Sequence, residues 1–450
     1  MFISSKKEPT LLLMGDLLCF FVSLWLALFI RYFRVPSVDI LNEHIPAFAI
    51  LFVVWIFVFF ITGLYEKHTL IFKNRLQRKI FNVQFANSIV AVIFFYLIPY
   101  FGISPKTNLF IYIIISFALV LLWRRYGVAI LDETKAQKGL IIGSGEEVKE
   151  VINEVNNNRR YNIEFVDFID LEEPVKNIKE KIGVLIKNKD VSVIIINLED
   201  KKVELMFPYM YKLIFSGIKF ADTSKVYEEI FDRIPLALIK YDWFLENVSK
   251  SQRAVYDFLK RTMDVFVSLL FGSASLIIYP FVMLAIKIDS VGPIFICQNR
   301  VGRSEKNIKI YKFRTMFFDD AGKRCLDTSK INGITKVGNF LRKTRIDELP
   351  QLWNVLKGDL SLIGPRPEIP EIAEVYDKEI SFYNVRHLIK PGLSGWAQLY
   401  QEAPPKFKPQ TDQTRIKLSY DLYYIKNRSL FLDFKIALKT IKVLFSKSGV

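Results

Sequence analysis

The first pattern along the 450-residue chain is a set of long apolar runs: Leu11–Phe33, Ile45–Leu64, Ile80–Phe101 and Leu109–Trp123. About 20 apolar residues in a helix cross the hydrocarbon core of a bilayer. The first three runs reach that length and the fourth is at the short limit, so residues 1–130 are expected to form four transmembrane helices. The first run is not a cleavable signal, because it is long, contains Asp16 and lacks a small-residue cleavage site. Asp16 is costly in lipid and is expected to face another helix or the interface. Lys67, Lys73, Arg75, Arg78 and Lys79 lie between the second and third runs, and Arg124, Arg125, Lys135 and Lys138 follow the fourth. Only Lys106 lies between the third and fourth. Arg31 and Arg34 point the other way, partly offset by Asp39 and Glu43. The positive-inside bias puts both ends of this bundle in the cytoplasm.

The pattern then changes. Over residues 135–250, strand-like runs at Gly139–Gly143, Ile163–Ile169 and Val191–Asn197 alternate with helical stretches such as Glu146–Val155. That alternation predicts a small α/β domain with a parallel, Rossmann-like sheet. Its glycine turn reads Gly143-Ser-Gly145-Glu-Glu-Val148, with valine where a dinucleotide fingerprint has its third glycine. Glu146 and Glu147 would repel a diphosphate there. A structural or docking role without a nicotinamide cofactor is expected. Asp242–Tyr256 reads as a polar connector.

A fifth apolar run, Val265–Ile288, is long enough to cross a bilayer, but Lys260 and Arg261 precede it and Lys287, Arg300, Arg303 and Lys306 follow it. Both flanks are thus of cytoplasmic type, and Pro280 falls past the middle, where proline breaks the helical ladder. The expectation is a bent helix at 265–288 that enters the inner leaflet and returns; the alternative is a fifth crossing. A strand follows at Ile308–Phe313, and Tyr420–Phe445 has the period of an amphipathic surface helix.

Composition narrows the function classes. Half the chain is hydrophobic, with 39 Phe, and 62 basic residues stand against 46 acidic ones. A surplus of +16 suits an anionic membrane surface or phosphorylated substrates. No zinc-finger spacing or RNA-binding signature supports nucleic acid. Cys19, Cys297 and Cys325 are odd in number and scattered, which argues against a disulfide framework or structural zinc. Three histidines support neither a histidine metal centre nor a triad. Walker A, GxSxG and HExxH motifs are absent.

The chemistry concentrates between Gly338 and Glu368, GNFLRKTRIDELPQLWNVLKGDLSLIGPRPE. Proline is tolerated only in the first turn of a helix, so Pro350 predicts that the helix through Trp353 begins at or near Asp347. Gly358 sits where a helix-terminating glycine belongs. Asp347 and Glu348 would then feel the positive end of the helix, which keeps them ionised and draws in phosphates. The alternative for the pair is a helix cap and a surface acid.

These residues resemble the bacterial sugar transferases, the monotopic phosphoglycosyl transferases. KRTMD, QNRVG, YKFRTM, the Thr335–Glu368 stretch, KPGLSGWAQ and YDLYYIKNRSLFLDF recur in the family's order over nearly all of residues 255–450. The resemblance implies an α-rich monotopic catalytic domain with a re-entrant membrane helix broken at Pro280. It also implies transfer of a sugar 1-phosphate from a UDP-sugar to undecaprenyl phosphate, with UMP released, to start an exopolysaccharide, capsule or O-antigen unit. By this resemblance Asp347 is the nucleophile, Glu348 helps hold Mg²⁺, and Arg366, between Pro365 and Pro367, contacts phosphate. Lys260, Arg261, Asp264, Arg300, Lys312, Arg314 and Arg342 are further candidate substrate contacts. The implied partners are the lipid bilayer and, as a candidate, a second copy of the chain, in a bacterial inner membrane with the catalytic domain facing the cytoplasm. Two departures stand out: Ser304-Glu305-Lys306 lacks a second glycine frequent in the family, and Tyr279 replaces the serine of a Ser-Pro break. The rival expectation is an inert membrane scaffold.

Overall fold

The computed structural model describes residues 7–65, 73–98, 106–127, 136–158, 161, 163–248, 253–317, 333–401 and 410–445. Lys67, Lys135, Asp319 and Cys325 lie outside them. The chain divides into two compact units, Met1–Ile230 and Phe231–Val450.

The first unit opens with helices α1 (Lys7–Tyr32), α2 (Val38–Ile61), α3 (Lys73–Leu97) and α4 (Lys106–Leu122). Three of them contain stretches long and apolar enough to cross a membrane, and the fourth is shorter. Phe20, Phe48, Phe52, Trp55, Phe59 and Tyr112 are buried among them, with the Trp55 and Tyr112 rings stacked 5.2 Å apart. Asp16 is fully buried and paired with Arg124, whose Nη1 donates to the Leu64 carbonyl at 2.7 Å. The acid expected to face another helix has therefore found a cation on the far side of the bundle sequence. Gln84 donates to Ser116 at 3.3 Å and Asn87 to Gln84 at 3.1 Å, so these buried amides find partners on the bundle's own helices.

The α/β part of this unit contains β1 (Gln137–Gly143), α5 (Glu146–Asn157), β2 (Ile163–Asp170), α6 (Val175–Lys189), β3 (Val193–Ile196), α7 (Phe207–Ile214), β4 (Lys219–Asp222) and α8 (Thr223–Phe231). The four strands pair in parallel in the order β2-β1-β3-β4. β3 is wholly buried, which is why it reads as an unbroken Val-Ile-Ile-Ile run rather than an alternating one. At the glycine turn Gly145 takes a φ of +102°, and Val148 packs against Gly143 so closely that a Cβ there would lie 2.9 Å from its side chain. The valine that breaks the fingerprint is a core residue.

The second unit begins at Phe231, ahead of the expected connector at Asp242–Tyr256. Helix α9 (Tyr241–Asn247) buries Trp243 in a core shared with Tyr383, Leu418 and Leu422, so this segment is a packed element rather than a polar link. Then α10 (Ala254–Ser275) and α11 (Tyr279–Asp289) meet at a 58° bend. The break lies at 276–278, and Pro280 stands in the first turn of α11, where its missing N–H costs nothing. It starts a second helix instead of kinking one. Ser275 Oγ donates to the Gly272 carbonyl at 2.7 Å beside the break.

β5 (Phe295–Val301) and β6 (Asn307–Phe313) form an antiparallel hairpin in register from Phe295↔Phe313 to Val301↔Asn307. Then follow α12 (Lys336–Thr344), α13 (Gln351–Lys357), β7 (Ser361–Ile363), α14 (Pro370–Glu379), β8 (Gly392–Ser394), α15 (Trp396–Tyr400), α16 (Thr411–Asn427) and α17 (Leu430–Phe445). The expected single surface helix at the end is two helices. α16 runs through the core, with Leu418, Leu422, Tyr424 and Ile425 buried, and α17 buries Ile436.

Candidate active site

Asp347 and Glu348 lie on a single 3₁₀ turn, Ile346–Glu348, between α12 and α13. The helical start expected at or near Asp347 is a 3₁₀ turn, and the α-helix proper starts only at Gln351 and is seven residues long. The chain enters the turn through Arg345, held at φ +59°, a left-handed conformation that a residue with a Cβ adopts only under constraint. It leaves α13 through Gly358 at φ +96°, as the sequence pattern implied.

Asn354 fixes this segment to the hairpin. Its buried amide donates to the Lys309 carbonyl at 2.7 Å and accepts from the Tyr311 N–H at 3.2 Å, both on β6. The next residue on that strand, Lys312, therefore reaches Glu348, Nζ to Oε1 at 3.0 Å. From the other side comes the Gly364-Pro365-Arg366-Pro367 turn. It is pinned by β8: Gly364 N–H donates to Ser394 at 2.8 Å and Gly392 N–H to Pro365 at 2.9 Å. The backbones approach so closely that a Cβ on Gly392 would stand 2.1 Å from the Gly364 nitrogen, which explains the glycine of the Lys390-Pro391-Gly392 segment. Arg366, projecting from the pinned turn, donates to Glu348 Oε1 at 3.0 Å.

The two carboxylates are treated unequally. Burial opposes ionisation of Glu348, but Arg366, Lys312 and Arg345 together outweigh it and hold the group well below the usual carboxylate range. Asp347 makes no hydrogen bond or salt bridge to any described residue. Burial, and then the charge of Glu348, push its pKa up to about 6, against opposing effects of Lys312, Arg342 and Arg345. Burial thus outweighs the cations and any pull of the helix end at Asp347, which titrates higher than an ordinary aspartate. At neutral pH it is still mostly an anion, with free lone pairs and a high basicity for a carboxylate. Such a group suits nucleophilic attack better than an ordinary surface aspartate. The two adjacent carboxylates are also a donor set that suits Mg²⁺, which takes one or two protein carboxylates and completes its shell with water and substrate phosphates.

Behind the turn lies a second charged cluster that sequence reading missed. Arg386 donates to the Arg366 carbonyl at 2.8 Å and pairs with Asp421 at 2.9 Å and Glu368 at 3.7 Å. Lys417 also pairs with Glu368. Burial disfavours the Glu368 anion, but Lys417 and Arg386 bring its pKa down to about 2.

Most of the other candidates are engaged away from the pair. Arg314 is a correction: it is 1% exposed, and its guanidinium donates to Ser290 and Val291, so it locks the turn after α11 instead of meeting substrate. Arg300 donates to Gln298 at 3.0 Å and acts electrostatically on Glu368, not on the pair. Lys260 pairs with Asp433 at 2.9 Å, and Arg261 donates to the carbonyls of Val355 and Leu356. Asp264 accepts from the Leu362 N–H at 3.1 Å. Arg342 acts on Asp347 electrostatically. Asp359, the next acid along the chain after the pair, is paired with Lys357 at 3.3 Å.

Comparison with known proteins is consistent with this arrangement. Residues 255–447 match the family described as bacterial sugar transferase. A UDP-N-acetylgalactosamine-undecaprenyl-phosphate N-acetylgalactosaminephosphotransferase of Aeromonas hydrophila is 42% identical over 47% of this chain and 50% of its own length. The exopolysaccharide production protein PSS of Rhizobium leguminosarum bv. phaseoli is 38% identical over 41% of this chain and 93% of its own. The UDP-glucose:undecaprenyl-phosphate glucose-1-phosphate transferase of Escherichia coli (strain K12) is 38% identical over 41% of this chain and 39% of its own. The chain thus spans half or less of the length of the Aeromonas and Escherichia relatives.

Proposed function

The chain belongs to the bacterial sugar transferase family, and we propose that it transfers a sugar 1-phosphate from a UDP-sugar to undecaprenyl phosphate in two steps through Asp347. In the first, an Asp347 carboxylate oxygen attacks the phosphorus that bears the sugar. The bond from that phosphorus to the bridging oxygen breaks, and UMP leaves with the electron pair. In the second, a phosphate oxygen of undecaprenyl phosphate attacks the same phosphorus, and the carboxylate is regenerated as the polyprenyl diphosphate sugar forms. No net proton transfer is required.

The observation that carries this reading is the division of labour in the pair. Three cations are spent on Glu348 and none contacts Asp347 directly. Glu348 keeps Lys312 and Arg366 in place as a positive frame, and Arg366, stiffened by a proline on each side, faces the incoming phosphate with little entropy to lose. Mg²⁺, held by Glu348 with Asp347 beside it, would supply neutralisation of the diphosphate charge.

Two steps also let a water-soluble donor and a lipid acceptor use one site in turn. The 58° bend between α10 and α11, with basic residues at both ends, supports a re-entrant membrane element that leaves the pair on the cytoplasmic side with UDP-sugars. The parallel β2-β1-β3-β4 sheet supports a Rossmann-like middle domain in a docking or regulatory role. A bacterial inner membrane and an exopolysaccharide, capsule or O-antigen pathway complete the reading. Purified protein with Mg²⁺, undecaprenyl phosphate and a panel of UDP-sugars should release UMP with at least one donor. No release with any donor would leave an inert scaffold as the better description.

A further inference from the structure

A cavity of about 400 Å³ opens between the first turns of α10, strand β7, the Leu388–Lys390 segment and the end of α16. Neither Asp347 nor Glu348 lines it. Arg261, on its wall, donates to the last carbonyls of α13 at 2.6 and 2.8 Å, whereas the acidic pair precedes the other end of that helix. About 10 Å of helix axis therefore separates the two places.

Five cations line the cavity, Lys260, Arg261, Arg303, Lys390 and Arg428, against two carboxylates, Asp257 and Asp264. Lys260 is paired with Asp433, and Arg428 with Asp257 at 3.6 Å. The side chains of Arg303 and Lys390 make no hydrogen bond or salt bridge among the described residues. Lys390 Nζ and Arg261 Nη2 crowd together over Gly358, 3.5 and 3.6 Å from where its Cβ would stand. Burial and the neighbouring Arg261 depress the lysine's pKa. Asp264 and Asp359 offset this only from a distance, and cations with no carboxylate in contact gain most from a bound anion.

The surroundings specify which anion. Ile363, Leu388, Ile389 and Ile425 form an apolar wall beside the cations. On the outer face of the same turns of α10, Val255 is 74% and Phe258 71% exposed. Large apolar side chains in the open next to a basic rim mark the depth of lipid headgroups. We propose that this cavity holds the anionic phosphate of a lipid headgroup at a site separate from the acidic pair. The proposal rests on the membrane reading of α10 and α11 and not on the covalent mechanism. Bilayer phospholipid and polyprenyl phosphate share this chemistry.

The test uses the full chain in nanodiscs of phosphatidylcholine doped with phosphatidylglycerol, with retained lipid read by native mass spectrometry. The wild type should retain phosphatidylglycerol in preference to phosphatidylcholine. Arg303→Gln with Lys390→Gln should weaken that preference by about 30-fold, the effect of two basic groups at an anionic surface. Arg303→Lys with Lys390→Arg should retain it. Added undecaprenyl phosphate that displaces phosphatidylglycerol from the wild type identifies the acceptor as the natural occupant; failure to displace it identifies bilayer lipid. UMP released from a turning-over UDP-sugar without acceptor should be the same in wild type and the glutamine variant, which shows that the variant is folded. If that release is absent from the wild type, the transfer mechanism fails while lipid retention still decides this site. A glutamine variant with wild-type preference, or a wild type with no preference for either lipid phosphate, overturns the proposal.

Discussion

Two buried charge clusters lie on either side of the Arg366 turn, and they are built to opposite ends. In the rear cluster, Glu368 and Asp421 face Arg386 and Lys417, so the signs match in number and both acids have a cation in contact. In the front cluster the contacts are lopsided: Lys312, Arg345 and Arg366 all address Glu348, and Asp347 is left with a raised pKa. A matched cluster holds a backbone turn in place. A mismatched one keeps a carboxylate available at a cost in stability, which is the pattern of a reactive site.

The sharpest way to break this contrast is Asp347→Asn. Removing the proposed nucleophile should lower turnover by at least about 10⁴-fold. It should also raise the melting temperature, because a buried acid with a pKa near 6 destabilises the ionised fold by on the order of 1–2 kcal/mol. Activity assay and calorimetry on one preparation check both. Retained activity, or a fall in melting temperature, would contradict the asymmetry.

The rear cluster should behave in the reverse way. Arg386→Met strands Glu368 and Asp421 with a single cation and should cost about 3–5 kcal/mol of stability. Its activity loss should follow the unfolded fraction and the loosened Arg366 turn. Glu348→Gln should be intermediate: the fold survives, Lys312 and Arg366 lose their anchor, and turnover falls by about 10²–10³-fold with weaker Mg²⁺ dependence. Titrating MgCl₂ against both proteins measures this.

The smallest effect is in pH dependence, where the clusters have opposite signs. Glu368 titrates near pH 2 in the folded protein, below its unfolded value, so it stabilises above about pH 4.5 and that contribution is lost as pH falls toward 2. Asp347 titrates near 6, above its unfolded value, so its contribution is present below about pH 4 and is lost as pH rises through 6. Between pH 4 and 6, wild type should lose stability relative to Asp347→Asn as the pH rises. Over the same range kcat/KM should fall about tenfold per unit below pH 6.

The front cluster was legible in the sequence and the rear one was not, for a physical reason. The acidic pair, Pro350, Gly358 and the Gly364–Pro367 turn sit within one short stretch, each with a local conformational meaning. Apolar run length likewise marked the helices of the bundle and the bent pair. Arg386 meets Arg366 and Asp421 across 20 and 35 residues, in a segment with no repeat or motif to mark it. Asn354 looks like any helical asparagine until β6 is laid beside it. Arg314 misled because an arginine after a strand resembles a phosphate ligand, and only the fold shows that the Ser290 and Val291 carbonyls claim it. The dyad's helix was placed too early because proline in a first turn does not distinguish an α-helix from a 3₁₀ turn ahead of it.

The central claim is that Asp347 carries the phosphosugar. The most direct measurement is to mix the purified chain with Mg²⁺ and a donor UDP-sugar in the absence of undecaprenyl phosphate, quench in acid, and map adducts by peptide mass spectrometry. The account predicts a phosphosugar on the peptide containing Asp347, stoichiometric with the UMP released and discharged when undecaprenyl phosphate is added before the quench. UMP release that appears only when undecaprenyl phosphate is present, with no adduct at any stage, would show direct transfer between the two substrates and contradict it.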